Sequence, residues 1–160
     1  VTTYNVPHRA IMLEITETNL MKDLQDVIPA LHRLNEIGVK IAIDDFGTGY
    51  SSLAYLTTLP ISELKIDRSY VAAVDNNARG AEMIRAIVGF GRILGREIIA
   101  EGVETEAELA VMKDVGVSHL QGFLFSRPMA AAHIEALVAA SESLSDLRPT
   151  GVRPVLRRVS

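Results

Sequence analysis

Four carboxylates, a lysine and a carboxamide recur at equivalent places in a repeating pattern. Glu14 stands inside a short apolar run, Asp44 and Asp45 end the next, Lys65 lies within the third, Glu101 follows the fourth and Gln121 ends the fifth. An unpaired charge in a buried parallel strand is very costly, so charges there need a purpose. Carboxylate and carboxamide oxygens are hard ligands, suited to Mg²⁺ or Mn²⁺ rather than zinc. Adjacent Asp44 and Asp45 can each face a different ion, or one can bridge two. Two ions about 3.5–4 Å apart stabilise the attacking and departing oxygens in phosphoryl hydrolysis. In such a cluster Lys65 would neutralise a phosphate oxygen, orient a water, or balance charge among the carboxylates, and Glu101 would serve as general base. Any one of these acids also fits a helix cap or a surface ion pair. Repetition over five runs points instead to metal-assisted chemistry on an anionic substrate.

Elements must place these groups together. The runs Ile11–Ile15, Val39–Ile43, Glu63–Ile66, Glu97–Ala100 and His119–Gln121 read as strands, the last weakly. Between them lie amphipathic helical stretches. Leu20, Leu24, Val27, Leu31 and Leu34 recur at helical spacing before Gly38, and Pro29 predicts a helix that starts near Asp26 or bends there. A short helix is expected from about Ser51, capped by Ser51 or Ser52. Ala78 to Leu94 presents Met83, Ile84, Ile87, Val88 and Ile93 on one side, with Gly95 as its stop. A helix from about Thr105 to Val115 precedes Gly116, and an alanine-rich helix spans Ala130 to Ala140. Alternating strands and helices imply parallel strands joined by crossover helices. Polar groups at one end of successive parallel strands are how a (β/α)₈ barrel builds its active site. The fold expected is therefore α/β, a partial TIM-like barrel of about five strand–helix units.

Composition excludes several classes. With 160 residues, 48% hydrophobic and 22% charged, the chain has material for one packed domain and is no disordered segment. Its net charge of −4 argues against a nucleic-acid binder, and zero cysteines exclude disulfides and zinc–thiolate sites. No apolar run approaches the roughly eighteen residues of a membrane span, so a cytoplasmic domain is expected. The chain opens on Val1 and reads as a piece of a longer one. Residues 1–140 are expected to form the domain and residues 141–160, with Arg148, Arg153, Arg157 and Arg158, a flexible basic tail.

Five motifs carry a resemblance. They are Leu13-Glu14-Ile15-Thr16-Glu17; Asp44-Asp45-Phe46-Gly47-Thr48-Gly49-Tyr50-Ser51-Ser52-Leu53; Leu64-Lys65-Ile66-Asp67; Ala100-Glu101-Gly102-Val103-Glu104-Thr105; and Gln121-Gly122-Phe123 with Ser126-Arg127-Pro128. In this order and spacing the chain, from about Arg9 to Leu137, resembles the EAL domain of bacterial cyclic-di-GMP phosphodiesterases. The resemblance implies hydrolysis of cyclic di-GMP to linear pGpG with Mg²⁺ or Mn²⁺, two ions in the complete site. It implies Glu14 and Asp44 as ligands of the first metal, Asp44 shared with the second, and Asp45 on the second. Glu101 matches the general base, and Lys65 the lysine on the catalytic water and phosphate. Glu17 matches the glutamate holding the loop after the next strand, and Gln121 a glutamine of the substrate or water network. Asp67 and Glu104 take supporting places, Glu104 as an acid at a helix start. The loop after Asp45 implies a homodimer contact, and an upstream sensor or GGDEF-type domain is expected in a parent chain.

The chain also departs from that family. No Glu-Ala-Leu motif stands in an early strand, nor does an asparagine-bearing strand precede Leu13-Glu14. Five strand–helix units cannot close a barrel that usually takes about 200 residues or more. The expectation is an active phosphodiesterase for a complete domain and an inactive isolated chain. The alternatives are a module that binds cyclic di-GMP or a protein partner without cleavage, a piece of scaffold, or an enolase-like barrel using Mg²⁺ and a lysine base.

Overall fold

The computed structural model describes residues 2–49, 53–74 and 78–137. Five strands, β1 (Met12–Thr16), β2 (Lys40–Phe46), β3 (Glu63–Ile66), β4 (Glu97–Ala100) and β5 (His119–Leu120), form one sheet in the order β1-β2-β3-β4-β5. Every neighbouring pair is parallel. The spatial order follows the chain without doubling back, as in a barrel wall and unlike a doubly wound sheet, whose order reverses at a switch point. The expected α/β partial barrel is what the chain forms.

The core sits between this wall and its helices. Leu20, Ile41, Ile43, Leu64, Ile66, Ile84 and Ile98 are all fully buried, and the rings of Phe46 and Phe90 stack with centroids 6.5 Å apart. β-Branched and leucine side chains fill both faces of β2 and β3, as expected of parallel strands covered on two sides.

The helices depart from the sequence reading in three ways. First, the stretch after β1 breaks at Asp23 into α1 (Glu17–Lys22) and α2 (Leu24–Glu36), and Pro29 lies inside α2. Asp23 adopts φ −131° and ψ 42°, outside the helical region, and its carbonyl accepts from the amides of Asp26 and Val27. The chain therefore turns six residues before the proline, once Leu20 has been seated in the core. Second, in α5 (Ala78–Leu94) Met83 is 49% exposed and Ile93 83% exposed, so neither belongs to the buried side. The seam is Gly80, Ile84, Ile87, Val88 and Gly91. A methyl group on Gly91 would lie 2.1 Å from Cδ1 of Ile98, so this glycine is what lets α5 approach β4. Third, a helix that periodicity did not suggest, α4 (Arg68–Ala72), follows β3 at once.

The remaining elements match more closely. Short α3 (Leu53–Leu56) stands where a helix was expected, while the expected caps Ser51 and Ser52 lie outside the described residues. The helix α6 (Glu106–Val115) has Thr105 as its N-cap and ends on Gly116 in the left-handed conformation. A last helical stretch covers 131–137; the rest of the expected alanine-rich helix and the basic tail lie outside the described residues. The tripeptide Glu135-Ala136-Leu137 falls on this exposed helix and so holds no strand-end position. No helix among the described residues is long and apolar enough to cross a membrane.

Candidate active site

Lys65 is the centre. It sits third in four-residue β3, and its side chain is only 5% exposed. Its Nζ donates to Oε2 of Glu14 at 2.8 Å and to Oδ1 of Asp44 at 3.0 Å, and lies 2.7 Å from Oε1 of Glu101. An ammonium has three N–H donors, and here three carboxylates from three other strand segments meet it. Burial alone would lower the Lys65 ammonium, but its hydrogen bonds to Glu101, Glu14 and Asp44 outweigh that and hold it well above the ordinary lysine range. The charge-balancing role expected of Lys65 is thus visible. Each contact uses a single carboxylate oxygen, so Asp44 and Glu101 each keep a second oxygen for another ligand.

A bulge explains how Asp44 and Asp45 serve one site. Ile43 pairs with Leu64 and Phe46 with Ile66, so β2 spends one more residue than β3 over this span. A regular strand sends successive side chains to opposite faces. At the bulge Asp45 takes φ +52°, and its amide donates to Oδ1 of Asp44 at 3.1 Å. One oxygen each from Asp44, Asp45 and Glu101 then falls within 4.8 Å of the others. Bulges beside active sites commonly re-aim a side chain in this way.

Charge in this cluster is in excess. Glu14, Asp44, Asp45 and Glu101 carry four negative charges against the single positive charge of Lys65. Burial, with the charges of Asp44 and Asp67, holds the Asp45 carboxyl above its ordinary value despite the pull of Lys65. Burial likewise raises Glu101, opposed by Lys65 and reinforced by Asp44 and Glu14. A divalent cation would relieve this strain, and the donor set is all hard oxygen. The residues therefore fit Mg²⁺ or Mn²⁺.

A supporting layer fixes the loop after Asp45. Glu17, 1% exposed at the start of α1, accepts from the amides of Gly47 at 2.7 Å and Gly49 at 3.4 Å through Oε2. Asp67 follows β3 and caps α4 by accepting from the Ser69 amide at 3.0 Å. Gln121 follows β5; its backbone amide donates to the carbonyl of Ala100 at 2.9 Å, beside Glu101, and its buried Oε1 has no partner among the described residues. Glu104 is exposed, and the helix-start carboxylate expected there belongs to Glu108. Glu108 accepts from the amides of Glu104 and Thr105 while Thr105 Oγ1 accepts from the Glu108 amide, a reciprocal capping box. The Thr-x-x-Glu spacing carried that signal in the sequence. Sequence reasoning brought together Glu14, Asp44, Asp45, Lys65 and Glu101; it missed the bulge and Glu108.

A parallel barrel wall with carboxylates and a lysine gathered on one face defines an α/β-barrel class whose site lies toward the carboxyl ends of the strands. Within it, this chain belongs to the EAL domain family, whose model matches residues 1–128. The chain is 48% identical over 129 residues to the bifunctional diguanylate cyclase/cyclic di-GMP phosphodiesterase MucR of Pseudomonas aeruginosa, covering 81% of this chain and 19% of MucR. A solved c-di-GMP complex of the PaMucR phosphodiesterase superposes with TM-score 0.80 at 44% identity, covering 83% of this chain and 54% of that one. Klebsiella pneumoniae BlrP1, solved with manganese and cyclic di-GMP, gives TM-score 0.74 at 33% identity over 79% of this chain and 32% of its own. The chain thus spans about a fifth of MucR and about half of the solved PaMucR phosphodiesterase chain.

Proposed function

We propose that this chain supplies the metal-binding and proton-handling part of a cyclic-di-GMP phosphodiesterase, working within a complete EAL barrel. The observation that carries the reading is the convergence of Glu14, Asp44 and Glu101 on Lys65, with Asp45 turned into the same cluster. Glu14, Asp44 and Asp45 would hold Mg²⁺ or Mn²⁺, which when bound polarises the phosphate and stabilises its developing charge. Glu101 accepts a proton from the attacking water. As the water oxygen bonds to phosphorus, the bond from phosphorus to one ribose oxygen breaks; that oxygen takes up a proton from solvent, and Glu101 returns its own to solvent. The product is linear pGpG. Lys65 opposes the rise that burial imposes on the Glu101 carboxyl, orients it, and would contact the water and a phosphate oxygen. Gln121, Glu17 and Asp67 support substrate or loop, and Glu108 takes the helix-start place expected of Glu104; the loop after Asp45 makes a homodimer contact; the domain is cytoplasmic and extends over 1–140.

The test is a transplant. Residues 9–128 replace the matching segment of the MucR phosphodiesterase domain, and pGpG release from cyclic di-GMP is followed with Mn²⁺. Release at a rate near that of the parent domain supports the reading. Binding of cyclic di-GMP without release would favour the non-cleaving module.

A further inference from the structure

Gly47 is gripped from two sides. Its amide is held by Glu17. Its carbonyl accepts from the hydroxyl of Tyr70, a half-buried residue of α4. Gly47 adopts φ +100°, and a methyl group on it would sit 2.9 Å from the Tyr70 ring, so the ring fills the space a side chain would take. Within the same turn, the amide and hydroxyl of Thr48 both donate to the carbonyl of Asp45, at 3.3 and 2.8 Å. Asp45 is itself left-handed, a conformation that costs a non-glycine residue free energy and persists only where its surroundings enforce it. The helix bearing Tyr70 starts three residues after Lys65 and is fixed there by the Asp67 cap.

We propose that Tyr70 is a positioning residue, whose hydroxyl and ring pin Gly47 so that Asp45 keeps the left-handed turn that aims its carboxylate at a divalent cation. The link runs from the Lys65 strand through α4 to the Asp45 loop. Both halves of the cluster are therefore held in register by one short helix. This inference rests on the metal-site reading above.

Tyr70→Phe retains the ring and removes only the hydroxyl, so the fold survives. Two readouts on the transplanted MucR domain, which carries residues 9–128 of this chain in a complete barrel, separate the outcomes: Mn²⁺ affinity from the free-ion electron paramagnetic resonance signal, and amide hydrogen exchange by NMR. Tyr70→Phe is expected to weaken Mn²⁺ binding about fivefold, the effect of one net hydrogen bond. It should speed exchange at the Gly47 amide by a similar factor while Ile43 and Leu64 in the strands are unchanged. In an Asp45→Asn background the same substitution should leave Mn²⁺ affinity unaltered, because the effect passes through Asp45. An unchanged affinity and Gly47 exchange, or an equal loss of affinity in the Asp45→Asn background, overturns the proposal. An unaltered transplanted domain that takes up no Mn²⁺ contradicts the metal reading instead. Gly47 exchange then decides alone: faster in Tyr70→Phe supports the clamp, and equal rates reject it.

Discussion

Nζ of Lys65 lies 2.7 Å from Oε1 of Glu101, and the two residues come from β3 and the end of β4, neighbours in the sheet. The group proposed to take a proton from water is thus held by a cation that never needs to leave it. The same ammonium reaches Glu14 and Asp44, so one buried side chain ties three other strand segments together.

Lys65→Met tests that tie. It preserves length and apolar volume but leaves three carboxylates without their shared cation. Removing one partner of a buried ion pair costs about 3–5 kcal/mol, and Glu14, 37% exposed, recovers part of that in water. A loss of about 2–3 kcal/mol is expected in urea unfolding of the metal-free chain. A change indistinguishable from zero would mean that the cluster is solvated rather than mutually dependent.

The metal-free cluster is expected to oppose folding through Asp45. Its folded-state pKa is raised, by burial first and then by Asp44 and Asp67, so the protonated form is favoured in the folded chain. A raised value contributes stability below the unfolded carboxyl pKa, and that contribution is lost as pH rises through the folded value. At neutral pH ionised Asp45 therefore costs stability. Asp45→Asn, which also tolerates the left-handed turn, should raise the melting temperature of the metal-free chain at pH 7 and lose the advantage at low pH. A lower melting temperature at pH 7 would contradict this.

Protons and cations compete for the same oxygens. Because the Asp45 carboxyl titrates above its ordinary value, Mn²⁺ affinity should fall as pH is lowered from neutrality before a free aspartate would begin to protonate. Asp67→Asn keeps an N-cap for α4 but removes one charge that raises Asp45. It should shift the fall in affinity to lower pH. A shift in the opposite direction would show that Asp67 acts through α4 rather than through charge.

Gly47→Ala probes the loop. Its φ of +100° and the Tyr70 ring 2.9 Å away both oppose a methyl group. The expected cost is about 1–2 kcal/mol, read as a drop of roughly 3–8 °C in melting temperature. A neutral substitution would mean that the loop has other conformations of equal free energy.

The strands and the residues of the site were legible in the sequence because both depend on short runs. Glu63–Ile66 and Glu97–Ala100 are strands over the same residues that read as such. Glu14, Asp44, Asp45, Lys65 and Glu101 stood out because charges rarely occur in buried strands. What escaped depends on contacts between distant segments. The bulge is a mismatch between β2 and β3, and nothing in β2 alone records it, although two adjacent aspartates serving one site require such a device. Tyr70 had no periodic signal, since five-residue α4 is too short to show one. The break at Asp23 was hidden by the more conspicuous Pro29, and Met83 and Ile93 misled because glycines, rather than large side chains, form part of the α5 seam.

Ligand count sets the expectation for the chain alone. Only Glu14 and Asp44 of the first-metal groups implied by the EAL resemblance are present, and Mg²⁺ keeps its waters readily when ligands are few. The 160-residue chain should release no measurable pGpG with Mn²⁺. Turnover lost in Lys65→Ala would show that its own ligands suffice.

Glu101→Gln in the transplanted MucR domain is the most direct measurement. It keeps shape and removes the carboxylate that is to accept the proton. Single-turnover pGpG formation at saturating cyclic di-GMP is predicted to fall by about 10²–10⁴-fold, with cyclic-di-GMP binding retained. Turnover within a few-fold of the unaltered transplant would contradict the assignment of Glu101 as base, and with it the central role given to the Lys65 cluster.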